Sequence, residues 1–292
     1  TVCASTAASS RAAATSAASP TLSTPQAAIA PVPADVRAPS ALVEPVRAES
    51  IAVTNELATF RFSTLGASLV NVDLPRFRRL GNGAGAVQLG DARDALVRFS
   101  ILAGRDTLAL DRIAFTSARS TSDAGETIVF SGNAGAATVR VEYLVEKDNY
   151  LAHVRIAATG LPQPAFLLTD LPRGFVSQEA DTTEDARHLA YAYKPQSSGA
   201  ERVDFRKPDP GERLLESGPH TWVVAKSKYF LVGLLTPRDA APAFAELQVT
   251  GDVRVNKVAV RARGLAVSAL PDSGVAFELY AGPIEWERMV AM

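Results

Sequence analysis

From Ile51 onward the chain alternates apolar and polar side chains in short runs, the period of strands that bury one face. Phe60 and Phe62 share one face while Thr59, Arg61 and Ser63 take the other. In the overlapping stretch "FSTLGASLVNVDLPRF" (62–77), Val70, Val72 and Leu74 follow Gly66 and oppose Asn71 and Asp73. Pro75 has no amide hydrogen for a ladder and is expected to end that strand. The same period recurs in "RIAFTSAR" (112–119), "ETIVFSGN" (126–133), "ATVRVEYLVEKDNY" (137–150) and "YLAHVRIAATG" (150–160). In the third of these Val139, Val141, Tyr143 and Val145 line one side, with Arg140, Glu142, Leu144 and Glu146 on the other. Further strand candidates are "FLLTD", "LAYAYK", "RVDFRK", "WVVAKSKYFLVGLL", "FAELQVTG", "VRVNKVAVRARG" and "VAFELYAG". Turn signals such as "GNGAG", "DAG", "SGN", "KDN" and "PDSG" separate them. So many short strands with scarcely a helical period predict an all-β protein of two stacked antiparallel sheets. No repeat of fixed length supports a propeller or solenoid.

Both ends depart from this pattern. Residues 1–49 are Ala, Ser, Thr and Pro with few large apolar groups, too little to offset the entropy of ordering a backbone. They are expected to form a disordered, semi-stiff linker ahead of a folded body over 50–281. The segment 282–292, "GPIEWERMVAM", carries the helix-start signals of Gly282 and Pro283 with Glu285 and Glu287 in the first turn. A short amphipathic helix is expected there. Its face of Trp286, Met289 and Val290 suits a membrane surface or packing on the sandwich.

Composition narrows the function. A formal net charge of −1 and a pI near 6.3 argue against a nucleic-acid partner, which needs a basic face. The one cysteine, Cys3, permits no intrachain disulfide. No apolar run reaches the roughly 18–20 residues of a membrane helix, since Lys226 and Lys228 interrupt "WVVAKSKYFLVGLLTP" (222–237). The chain opens on Thr1 with no signal-like stretch, so any signal or anchor is expected upstream.

Candidate chemistry is sparse. The three histidines, His153, His188 and His220, show no metal-ligand spacing, and neither a metal nor a cofactor is expected. "GNGAGAVQLG" (81–90) lacks a Walker lysine and reads as a hairpin end. The acidic run "SQEADTTEDAR" (177–187) reads as a solvated loop. "TWVVAKSKYF" (221–230) reads as one long buried strand that bulges or changes sheet, although Trp222 and Tyr229 could line a cleft. For a mutarotase-like enzyme, the nominees for acid and base are His153 or His220 with Glu142 or Glu179.

Three stretches in order resemble the periplasmic domain of the YidC/Oxa1/Alb3 insertase family. "VTNELATFRFSTLGASLVNVDL" (53–74) is similar to its opening strands, "WVVAKSKYFLVGLLTP" (222–237) to its KYF-containing strand, and "FELYAGPIEWERM" (277–289) to its exit into a short helix. The resemblance spans about residues 50–292. It implies a super-β-sandwich of galactose-mutarotase-like topology, placed on the periplasmic side of the bacterial inner membrane and not itself catalytic. It further implies partners in the Sec translocon and in nascent inner-membrane proteins, and a membrane contact through the terminal helix. A sugar-binding sandwich and an adhesin-like domain on a stalk are the competing readings.

Overall fold

The computed structural model of the protein describes residues 48–81, 85–90, 94–254 and 258–285. Its smaller sheet joins β1 (Ser50–Thr54), β2 (Thr59–Ser63), β3 (Ser68–Arg78) and β4 (Ala86–Gln88) in sequence order. The larger sheet holds β5 (Arg98–Ala103), β6 (Asp106–Ala109), β7 (Thr116–Thr121), β8 (Gly125–Ala134), β9 (Ala137–Glu146), β10 (Leu151–Thr159) and β11 (Ala165–Asp170). It continues with β12 (Ala190–Pro195), β13 (Glu201–Asp204), β14 (Arg213–Lys226), β15 (Phe230–Leu235), β16 (Phe244–Gly251), β17 (Ala262–Ala269) and β18 (Val275–Pro283). Its order is β6-β5-β11-β17-β16-β14-β15-β18-β10-β9-β8-β7, with β12 pairing β14 and β13 beyond it. The ladders between strands are antiparallel, as the alternating pattern requires.

Period-2 burial drives the two sheets together. Val139, Val141, Tyr143 and Val145 of β9 are all buried, as are Phe60 and Phe62 of β2. Phe62 meets Tyr143 at 4.6 Å between ring centres, and Phe130 of β8 closes the cluster at 6.1–6.3 Å. One continuous core runs between the sheets and continues through Phe99, Phe244 and Phe277. The turn in "STLGAS" fixes the small sheet to the large one. Gly66 has φ +80°, and a Cβ there would lie 2.9 Å from the Asp111 Cα, so the close approach needs glycine. The Gly66 amide donates to the Ile113 carbonyl and the Phe115 amide to that of Thr64, both at 2.9 Å.

Asn55 ties a second corner. Its side-chain oxygen accepts from the amides of Leu57 and Ala58, and its amide nitrogen donates to the carbonyls of Glu146 and Asn149, all at 2.7–2.9 Å. The β1–β2 connection is thereby locked to the β9–β10 turn.

Several expectations change. Val70 is not the buried residue at the start of β3. The register passes from Arg61 opposite Asn71 to Phe62 opposite Leu69, so Val70 is a bulged residue and Leu69 takes the core position. Pro75 does not end β3, which runs on to Arg78. Proline is tolerated because β2 pairing stops at Asp73 and the β4 register shifts between Leu74 and Arg78, so no ladder bond is lost there. "WVVAKSKYFLVGLL" is a hairpin, not one strand: β14 turns into β15 at residues 227–229, where the Ser227 amide donates to the Phe230 carbonyl and the Phe230 amide to the Ser227 hydroxyl. The acidic run contains one helical turn, α1 (Thr182–Ala186), because the Asp181 carboxylate accepts from the amides of Thr183 and Glu184.

At the far end, Gly282 and Pro283 are the last residues of β18, paired with Leu231 and Phe230, so the sandwich extends past residue 281. Trp286, Met289 and Val290 lie outside the described residues, as does almost all of the 1–49 segment.

Candidate functional site

Antiparallel partners share a face, so the ladders of β5, β11, β17, β16 and β14 define what this half of the large sheet presents away from the core. Leu102 sits opposite Phe166, and Leu168 opposite Val267. Leu265 pairs with Gln248, which pairs with Leu215. Leu102, Phe166, Leu168, Leu265 and Val267 are half-buried, Leu215 is 57% exposed, and none of the six belongs to the core or packs against it. A one-sided antiparallel sheet ordinarily turns polar side chains outward. The apolar side chains of this face cluster on β11 and β17, β16 adds Glu246, Gln248 and Thr250 to the same face, and the Arg263 guanidinium grips Asp170 with bonds of 2.7 and 3.3 Å. That carboxylate holds the Arg263 guanidinium above its ordinary pKa. An exposed apolar patch with polar and charged neighbours has the makeup of a docking surface.

A polar cluster lies on the outer face of the other half. His153 of β10 approaches Glu146 at 2.7 Å and Glu278 at 3.8 Å. Burial raises the Glu278 carboxyl above its usual range, with His153 pulling it back down and Glu146 pushing it further up. Pairing places Trp222, Leu235, Glu278, His153 and Leu144 in one row across β14, β15, β18, β10 and β9.

The nominated acid–base pairs do not assemble. Glu142 is engaged by Arg140 at 3.1 Å, and Glu179 belongs to the 175–188 region against Gly81. His220 is sealed in the interior, with Nε2 3.1 Å from the Glu216 carbonyl, Nδ1 without a hydrogen-bond partner and the Tyr193 ring 5.0 Å away. A substrate in solution could not reach it. Of the four nominees only His153 stands beside carboxylates, and these are Glu146 and Glu278. The structure places Trp222 and Tyr229 in different settings. Trp222 packs on the core from β14, whereas Tyr229 is 48% exposed in the hairpin turn and edges a small depression lined also by Leu89, Phe175, Gln178 and Phe230. Among the described residues no group of three His, Cys, Asp or Glu side chains could hold a metal, and no helix is long and apolar enough to cross a membrane.

Sequence reading missed the apolar outer face. Its signal was the absence of alternation in "AFLLTD" and "GLAVSAL", where consecutive apolar residues supply both faces of β11 and β17.

Comparisons with known proteins agree with this architecture. The fold resembles that of a galactose mutarotase-like protein from Lactobacillus casei, with a TM-score of 0.53 and 10% identity over 80% of this chain and 100% of that one. A putative aldose 1-epimerase from Escherichia coli K12 matches with a TM-score of 0.46 and 10% identity over 82% and 100% of the two chains. At such identity the likeness concerns fold alone. No curated protein matches the chain. The family model of the YidC periplasmic domain matches residues 50–292, the whole strand-bearing region, and the chain belongs to that family.

Proposed function

We propose that this domain is a non-catalytic docking and positioning module of a membrane protein insertase in the bacterial inner membrane. It supports the insertion and folding of inner-membrane proteins, alone or with the Sec translocon, by holding a partner or an emerging segment on the outer face of β5, β11, β17, β16 and β14. The observation that carries this reading is the set of apolar side chains on that face, Leu102, Phe166, Leu168, Leu265 and Val267, which the core does not use. Apolar surface of this kind gives a segment in transit a place to shed water without any chemistry. A mutarotase-like reading has less support, because His220 is enclosed and Glu142 is paired with Arg140, so that the histidine–carboxylate contact present is that of His153 with Glu146 and Glu278 instead of a nominated pair.

The test is insertion of a dependent membrane protein in cells whose insertase carries Leu168→Glu with Leu265→Glu. Both side chains stand outside the core, so folding and abundance should be retained while insertion of docking-dependent substrates falls. Unchanged insertion of every substrate at equal abundance would falsify the docking role.

A further inference from the structure

The two sheets do not end together. Ser117, Arg119 and Thr121 of β7 stand opposite Phe130, Ile128 and Glu126 of β8, on the face that turns toward the small sheet, yet all three are exposed. The large sheet therefore overhangs β1, the last strand of the small one. Beneath the overhang the edge of β1 is open. Its ladder with β2 is bracketed by hydrogen bonds from the Asn55 amide to the Ala58 carbonyl and from the Thr64 amide to the Glu49 carbonyl. Alternation between them turns the backbone groups of Ile51 and Val53 toward β2 and those of Ser50, Ala52 and Thr54 away from it. The Arg119 guanidinium donates to the Ala52 carbonyl at 3.2 Å, and among the described residues no strand pairs with that side of β1. Sheet edges are commonly blunted by proline, charge or a bulge, and the "SIAVT" of β1 carries none of these.

Between this edge and the start of β8 lies a depression of about 400 Å³. Val53 and Val145 give it an apolar wall, and Glu56, Glu126 and Glu146 outnumber Lys147 around it. Lys147 lies 4.0 Å from Asp123, and Glu56 is exposed with no ion pair among the described residues. Carboxylates beside an aliphatic wall suit a side chain with a long methylene stem and a cationic end. A second copy adding its own β1 would bring no such group, because "SIAVT" is uncharged. We propose that an extended segment of another protein adds to β1 beneath β7 and sends a lysine or arginine side chain into the depression. Main-chain bonds to Ser50, Ala52 and Thr54 supply affinity that is indifferent to sequence, and the carboxylates select the cation. The site lies at the end of the large sheet opposite β5 and β6, and it does not depend on the docking face.

The probe is a fluorescently labelled heptapeptide of alternating threonine and valine with lysine at its centre, titrated with the 292-residue chain and read by anisotropy. Binding is expected, and replacing the central lysine by glutamate should weaken it about tenfold. Ala52→Pro removes an outward amide without costing a ladder bond, so it should keep the fold and weaken binding about tenfold. Glu56→Lys should weaken binding of the lysine peptide and leave that of the glutamate peptide no weaker. In hydrogen exchange the amides of Ala52 and Thr54 should exchange freely in the chain alone and become protected once the peptide is added. Absence of binding, equal binding of the lysine and glutamate peptides, indifference to Ala52→Pro in a folded variant, or protection of Ala52 and Thr54 before any peptide is added would each overturn the proposal.

Discussion

The Tyr143 hydroxyl donates a 2.7 Å hydrogen bond to the Ala67 carbonyl inside the core, linking β9 of the large sheet to the turn of "STLGAS" in the small one. Ala67 has φ +48° and follows Gly66 at +80°, so the turn holds its carbonyl toward the phenol by a backbone path that few residues adopt. Burial raises the Tyr143 pKa well above its ordinary value, which keeps the phenol protonated as the donor. Tyr143→Phe leaves the packing but strands the carbonyl. It should cost about 1–3 kcal/mol in denaturant unfolding with an unchanged m-value. A variant as stable as the parent would show that the bond contributes nothing net.

Asn55 concentrates four hydrogen bonds in one side chain at the junction of two turns. Asn55→Ala should destabilise the fold by about 2–3 kcal/mol. Asn55→Asp keeps the acceptor for Leu57 and Ala58 but faces the carbonyls of Glu146 and Asn149 with oxygen, so it should rescue little at neutral pH. Hydrogen exchange should show faster opening at residues 55–58 and 146–150 in both variants.

Much of this fold is legible in the sequence, because alternation is the direct imprint of a half-buried strand. The buried faces of β2 and β9 follow from it residue by residue. What the pattern misses are the places where tertiary pairing overrides local period. The bulge at Val70 becomes visible only through the register against β2, and the turn at residues 227–229 is hidden because Lys228 and Tyr229 lie between two apolar runs. Period also fails at the apolar outer face of β11, where Phe166 and Leu168 look like core simply because Leu167 between them is core. The hairpin moreover places Trp222 inside β14 and Tyr229 in the turn that follows it, a difference their closeness in sequence does not convey.

Glu278 gives the fold a pH dependence of definite sign. Burial raises its folded-state pKa above the unfolded value, His153 opposes that shift, Glu146 adds to it, and Arg238 favours the carboxylate. The protonated form is therefore favoured by folding. The associated stability is present below the ordinary carboxylate pKa and is lost as pH rises through the raised folded value. Glu278→Gln should raise the unfolding free energy at about pH 7 by an amount on the order of 1 kcal/mol or less, and the gap to the parent should close toward about pH 4. A gap that widens with acid would reverse the assignment.

The central claim is that the outer face of β5, β11, β17, β16 and β14 receives a protein segment during membrane insertion. Photo-crosslinking in living cells from a probe amino acid at Leu168 or Val267, with a probe at Ala276 of β18 as the comparison, tests it most directly. The account predicts adducts to nascent membrane proteins or translocon subunits from positions 168 and 267 that depend on ongoing synthesis, and few from position 276. Equal yields from all three positions, or none from the docking face while insertion proceeds, would contradict it.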